Sequence, residues 1–190
     1  MPDHDSLLNL LAERSARRGS FTLASGRQST LYIDARLTTM SPDGLAMIGP
    51  LALSTLRAMR WKIDAVGGLT LGADPVSYAI AYASASTDAP LRAFTIRKEP
   101  KTYGMTQLIE GPFQTGDRVA VIEDVITTGG SALRAIDAVR AAGGIVVGVL
   151  ALVDREEGGR EALLAAGIPV VSLATASALV ARLPISAVNP

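Results

Sequence analysis

From residue 63 onward, short apolar runs alternate with amphipathic runs, and this rhythm restricts the fold more than any other feature of the chain. Residues 63–66, 91–96, 119–122, 145–153 and 170–173 read as strands, with Gly67-Gly68 ending the first. Residues 74–83, 131–142 and 160–166 read as helices between them. Strands joined through helices take right-handed crossovers and lie parallel. The expected fold is therefore α/β, a doubly wound parallel sheet of about five strands flanked by helices. The composition agrees, because 48% of residues are apolar but only 4% aromatic. Small aliphatic side chains suit strands buried on both faces. The 190 residues fit a single domain able to bury its own core.

The first third is less regular. Residues 5–18 predict a helix with Leu7, Leu8, Leu11 and Ala12 on one face and arginines near its end. Residues 21–36 alternate loosely around Ser25-Gly26, which predicts a short hairpin-like excursion. Ser41-Pro42-Asp43 opens a second helix that runs to about Met59.

Several function classes drop out early. Eighteen basic residues balance eighteen acidic ones, so the broad positive field of a nucleic-acid binder is missing. There is no cysteine, hence no disulfide frame, thiolate metal site or thiol nucleophile. The one histidine, His4, reads as a solvated residue near the terminus, which argues against histidine triads and histidine-rich metal sites. Residues 1–18 are charged throughout and show no leader pattern, and the longest apolar run, 145–153, is too short for a membrane. A soluble cytoplasmic protein is expected.

One segment carries the chemistry. The apolar run from Arg118 leads into Glu123-Asp124, then Val125-Ile126, then Thr127-Thr128-Gly129-Gly130-Ser131 at the start of a helix. Ligands of open parallel sheets bind at the carboxyl ends of strands. A helix N-terminus offers free N–H groups and partial positive charge to a phosphate. Glycines let the backbone approach, and the hydroxyls add donors. The two acids would repel a phosphate but accept hydrogen bonds from sugar hydroxyls. A ribose 5-phosphate satisfies both ends. The segment lacks the lysine of a Walker loop and the glycine spacing of a dinucleotide fingerprint. Separately, residues 98–116 join two strands without periodicity and contain Lys98, Lys101 and several Gly and Pro residues. A connection this long reads either as a solvated surface loop or as a mobile lid that carries cations to an anionic ligand.

The 118–131 segment resembles the signature of type I phosphoribosyltransferases, which bind phosphoribosyl pyrophosphate (PRPP). Residues 21–36 resemble the N-terminal hood segment of the orotate phosphoribosyltransferase family, and residues 97–111 resemble its catalytic loop. Asp154-Arg155 and the loop within 66–75 match it too, so the resemblance covers nearly the whole chain. It implies a core with a small hood, mainly from residues 1–40, and transfer of phosphoribosyl from PRPP to orotate. Mg²⁺ would be carried on PRPP, with no direct protein ligand. Glu123 and Asp124 would hold the ribose hydroxyls, with Asp124 counted as catalytic. Val125 and Ile126 would belong to the PRPP site, and Thr127, Thr128, Gly129, Gly130 and Ser131 would cradle the 5-phosphate. Thr127 and Arg155 would meet orotate. Arg97, Lys98 and Lys101 would meet the pyrophosphate, with Lys101 the principal catalytic cation, and Tyr103 would also bind PRPP. A homodimer with shared sites is implied, without nucleic-acid or membrane partners.

Tyr103, Ala24 and Leu71 stand where many relatives carry His or Lys, so three cationic options are absent. Arg27 or Mg²⁺ would compensate. Two other readings share the PRPP motif: a phosphoribosyltransferase for another base, and a non-catalytic PRPP-sensing regulator. The hood and loop segments favour orotate, and the intact loop favours catalysis.

Overall fold

A computed structural model of the chain describes residues 3–22, 28–99 and 108–184. Among these the central sheet has six strands in the order β5-β4-β3-β6-β7-β8. Five are parallel: β3 (Ala65–Leu69), β4 (Arg92–Ile96), β6 (Arg118–Ile126), β7 (Ile145–Asp154) and β8 (Val170–Thr175). The sixth, β5 (Ile109–Glu110), is a short antiparallel edge.

Side chains of successive strand residues face opposite layers. Ala120, Ile122, Leu150 and Leu152 pack with helices α1 (His4–Ser15), α3 (Pro42–Ala58) and α4 (Ala73–Ser84). Val119, Val121, Val149 and Ala151 pack on the other side with α5 (Gly130–Ala141) and α6 (Gly159–Ala165). The crossover after β3 thus covers one face, and the crossover after β6 covers the other. Between β3 and β6 the winding reverses, and a crevice opens at their carboxyl ends.

Several sequence expectations change. The first helix ends at Ser15, not at Arg18, because residues 16–22 leave it to form β1 (Ala16–Thr22). That strand pairs antiparallel with β2 (Gln28–Ile33), with Arg17 opposite Tyr32. Pairing across the hairpin here outweighs the helix preference of arginine. His4 is exposed, as expected, but it opens α1 and its Nε2 bonds the Leu173 carbonyl of β8. Leu7 and Leu11 are fully buried. Each such leucine contributes about 1.5–3 kcal/mol to docking the helix.

Gly67-Gly68 lies inside β3 rather than ending it. A Cβ at Gly68 would sit 2.0 Å from the Ile122 carbonyl oxygen and 2.7 Å from Ala73 Cβ. The glycine is there so that the neighbouring strand and α4 can close on it. β6 extends four residues beyond the expected 119–122, so the acid pair lies on the strand itself. The expected 98–116 loop is also not continuous. Residues 109–110 pair with β4, and Phe113 packs edge-on against Phe94 at 5.3 Å. The short helices α2 (Arg36–Thr39) and α7 (Ala176–Val180) carried no clear periodic signal.

Candidate active site

Four strands end at one crevice. β6 brings Glu123 and Asp124, and β7 is followed directly by Arg155. β4 is followed by Arg97 and Lys98, and β3 by the loop 70–72. The hairpin strand β2 supplies Tyr32 as a further wall. Together they enclose an open cleft of about 430 Å³ lined by Glu123, Asp124, Thr127, Ser131, Arg155 and Lys98 among others. A small recess of about 50 Å³ adjoins it, formed by residues 125–132 and Glu123.

The recess has the form expected of an anion cradle. Gly129 holds a left-handed φ of 83° and caps α5. The N–H groups of the first helical turn lack intrahelical acceptors and face the recess with the positive end of the helix dipole. The recess brings together Val125, Ile126, Thr127, Thr128, Gly129, Gly130 and Ser131.

The acid pair sits where the recess meets the cleft. As consecutive strand residues, the two side chains leave β6 on opposite sides. Glu123 lies toward α5, within the field of Arg134; it is buried, and among the described residues its Oε1 has no hydrogen-bond partner. Burial and the neighbouring Asp124 charge push its carboxyl up to about 8. Asp124 lies toward the loop after β3, where a Cβ at Gly72 would fall 2.4 Å from its carboxylate. Burial raises this carboxyl too, while the Val125 N–H at 2.9 Å and the Arg36 charge oppose the rise. Two acids held with so few donors are poised to receive them from a ligand.

Arg155 closes the opposite wall. Its Nη2 donates to Ser29 Oγ and to the Leu31 carbonyl, both at 3.2 Å, and pairs with Glu157 at 2.6 Å. Its Nε is buried and, among the described residues, has no partner. The turn behind it is fixed: Glu156 takes a positive φ of 57° and accepts the Ser177 N–H and hydroxyl.

The sequence-predicted cations divide. Lys98 lines the cleft, whereas Arg97 lines an adjoining groove beside Glu99 and Arg134. Lys101, Tyr103, Ala24 and Arg27 lie outside the described residues. Leu71 is on the cleft wall and 62% exposed. Sequence reasoning missed Tyr32, Arg36 and Arg134 as lining residues. Arg134 had a readable signal, three residues past Ser131 on the same helical face. Arg36 and Tyr32 had none of their own, since only the hairpin brings them to the sheet edge.

A crevice at the sheet's winding reversal, with an acid pair running into a helix-capped anion cradle, defines a phosphoribosyltransferase of the type I class. The comparisons narrow this further. No protein-family model matches the chain. It is 46% identical over 176 residues to the orotate phosphoribosyltransferase of Aquifex aeolicus (strain VF5), covering 91% of this chain and 95% of the relative. The crystal structure of Mycobacterium tuberculosis H37Rv orotate phosphoribosyltransferase in complex with Fe(III) dicitrate superposes with a TM-score of 0.81 at 43% identity. The complex of that enzyme with PRPP gives 0.77 at 42% identity. Both cover 94% of this chain and 99% of the other. The chain belongs to the orotate phosphoribosyltransferase family.

Proposed function

We propose that this protein transfers the phosphoribosyl group of PRPP to orotate, releasing pyrophosphate and forming orotidine 5′-monophosphate for pyrimidine synthesis. The observation that carries the reading is the placement of the acid pair between the anion cradle and Arg155. The 5-phosphate would sit in the cradle of residues 127–131, and the ribose hydroxyls would donate to Glu123 and Asp124. Donors from the sugar favour the ionised carboxylates, so binding draws Glu123 down from its raised value. The paired negative charge then lies beside the anomeric carbon as it gains oxocarbenium character. The planar base would fit between Tyr32 and Thr127, with its carboxylate toward Arg155, whose buried Nε has no acceptor among the described residues. Glu157 shares that guanidinium and keeps it oriented when the site is empty. Lys98, and Arg97, Lys101 and Tyr103 by resemblance, would draw charge from the leaving pyrophosphate.

Among the described residues no three His, Cys, Asp or Glu side chains converge on one point. An ion brought in on PRPP oxygens would need no protein ligand set, and Asp124 on the cleft wall would accept hydrogen bonds from its waters. Mg²⁺ bound in this way would neutralise charge on the pyrophosphate.

A homodimer with shared sites completes the proposal. α4 turns Tyr78 and Tyr82 outward, 52% and 86% exposed, on a face that a second copy could cover. Mixing a Lys101→Ala protein with an Asp124→Asn protein should restore part of the activity if one site draws on both subunits. Among the described residues no helix is long and apolar enough to cross a membrane; we place the enzyme in the cytoplasm with its substrates. The deciding experiment mixes the protein with orotate, PRPP and Mg²⁺ and follows loss of orotate absorbance. Pyrophosphate-coupled loss supports the reading. Turnover of another base with none of orotate would overturn it.

A further inference from the structure

Arg36 is placed in a way that bracing alone does not require. It follows β2 and opens α2. Asp34, two residues earlier, accepts from its Nε at 2.8 Å and its Nη2 at 2.9 Å, while the Arg36 backbone N–H donates to the same carboxylate at 3.1 Å. This side-on grip consumes one edge of the guanidinium and fixes its plane. Nη1 is left on the other edge, and among the described residues nothing bonds it.

Arg36 lines the same cleft as Leu71, Gly72, Lys98 and Asp124. Arg36 and Asp124 lie close enough for each to feel the other's charge. Gly72 lies against Asp124 from the loop after β3, so Arg36, Asp124 and that loop surround one corner. The loop itself brings no cation to this corner, because its outward side chain is Leu71. An anion seated there would meet Lys98 from β4 and Arg36 from the hairpin side. Half-exposed, with a side-chain accessibility of 52%, Arg36 keeps its charge solvated until such an anion arrives.

We infer that Arg36 is a further binding residue for the diphosphate end of PRPP, with Asp34 as the group that positions it. The inference rests on the reading of the cleft as the PRPP and orotate site. Arg36 is always charged and offers a planar fork, which suits phosphate oxygens better than the single ammonium of a lysine. The contact lies with the leaving group, so it acts on PRPP and on product pyrophosphate, not on the base.

The test begins with the parent protein, whose conversion of orotate with PRPP settles the functional reading separately. Steady-state kinetics of Arg36→Gln should then show KM for PRPP and the inhibition constant of inorganic pyrophosphate each raised roughly tenfold, as for one charge-assisted contact in a partly solvated site. KM for orotate should stay within about twofold, and Tm should hold within about 2 °C, the size of a surface ion pair. Arg36→Lys should recover part of the loss. Leu71→Lys in the Arg36→Gln background should recover more, since it returns a cation to the same corner. Calorimetric titration of inorganic pyrophosphate into parent and Arg36→Gln gives a readout that needs no orotate chemistry. Unchanged pyrophosphate affinity would overturn the inference. So would a fall in Tm with equal losses for both substrates, which marks Arg36 as a brace for the turn. Asp34→Asn separates the two further: it should weaken pyrophosphate binding less than Arg36→Gln does.

Discussion

The two ends of the sheet handle charge in opposite ways. At the amino ends of the strands, acids are matched with cations. Asp64, just before β3, accepts from the Arg118 backbone and from both Nε and Nη2 of its guanidinium, at 2.7–2.9 Å. Asp117, just before β6, is buried and holds Arg92 from β4. At the carboxyl ends, Glu123 and Asp124 share one strand with few donors, and the buried Nε of Arg155 is unpaired among the described residues. The first arrangement ties strands together. The second leaves groups unsatisfied where a ligand with hydroxyls, a phosphate and a carboxylate could satisfy them. Unsatisfied groups lower the stability of the empty protein, and such sites are where function resides.

Asp124→Asn should break the carboxyl end most completely. It keeps the side-chain shape and removes the charge beside the anomeric carbon. We expect kcat/KM to fall by roughly a hundredfold or more, a typical loss for a group stabilising transition-state charge. Tm should not fall, because the raised Asp124 carboxyl shows that the folded protein disfavours this charge. Parent-like turnover would remove Asp124 from the chemistry.

That prediction could be framed from sequence, because acids, hydroxyls and glycines stood together at the end of an apolar run. The parallel sheet was legible for the same reason: its strands are continuous in sequence and apolar on both faces. Less was legible where tertiary pairing decides. Residues 16–18 read as helix until β2 pairs with them. Gly67-Gly68 read as a stop until Ile122 and Ala73 close on it. The opposite faces of Glu123 and Asp124 followed only once β6 was seen to run through them. Arg36 and Tyr32 joined the site through the folded hairpin, which local periodicity does not encode.

A second prediction separates the two substrates within the carboxyl end. Arg155→Ala should raise KM for orotate more than tenfold, as expected for loss of a charge-assisted contact in a buried setting. Lys98→Ala should act mainly on PRPP, with a smaller effect because Lys98 is exposed. Initial rates with each substrate varied in turn decide it. Equal effects of both changes on both substrates would dissolve the division.

Glu123→Gln sharpens the contrast in stability. In the folded protein Glu123 keeps its proton up to about 8, against an ordinary value of 4.5. The folded state therefore binds this proton more tightly than the unfolded chain. Parent stability from this group is full below about 4.5 and is lost as pH climbs to about 8. The glutamine variant carries no such penalty. It should match the parent near pH 4.5 and exceed it by something on the order of a few kcal/mol above pH 8, while its activity falls. Denaturant unfolding across this range measures the gap. A constant gap would mean that Glu123 is not held in its neutral form.

The smallest effect belongs to the amino end, and it has the opposite sign with pH. Asp64→Asn removes the charge that Arg118 holds. Those hydrogen bonds keep the Asp64 carboxyl down at about 2, so the folded state releases this proton more readily than the unfolded chain does. Its contribution is present above the ordinary 3.8 and fades as pH falls toward about 2. Both side chains are partly exposed, at 31% for Asp64 and 40% for Arg118, and solvent screens the pair. The loss in Tm at pH 7 should therefore be no more than about 2–4 °C. It should shrink as the solution is acidified, whereas the gain in Glu123→Gln shrinks over a higher range. Activity should be untouched, because Asp64 precedes β3 at the end of the sheet remote from the cleft. Thermal melts at pH 7 and at about pH 2, beside initial rates at pH 7, test all three points. A drop in kcat without a drop in Tm would show that the two ends are coupled through β3 and β6, and that the amino end does more than tie strands together.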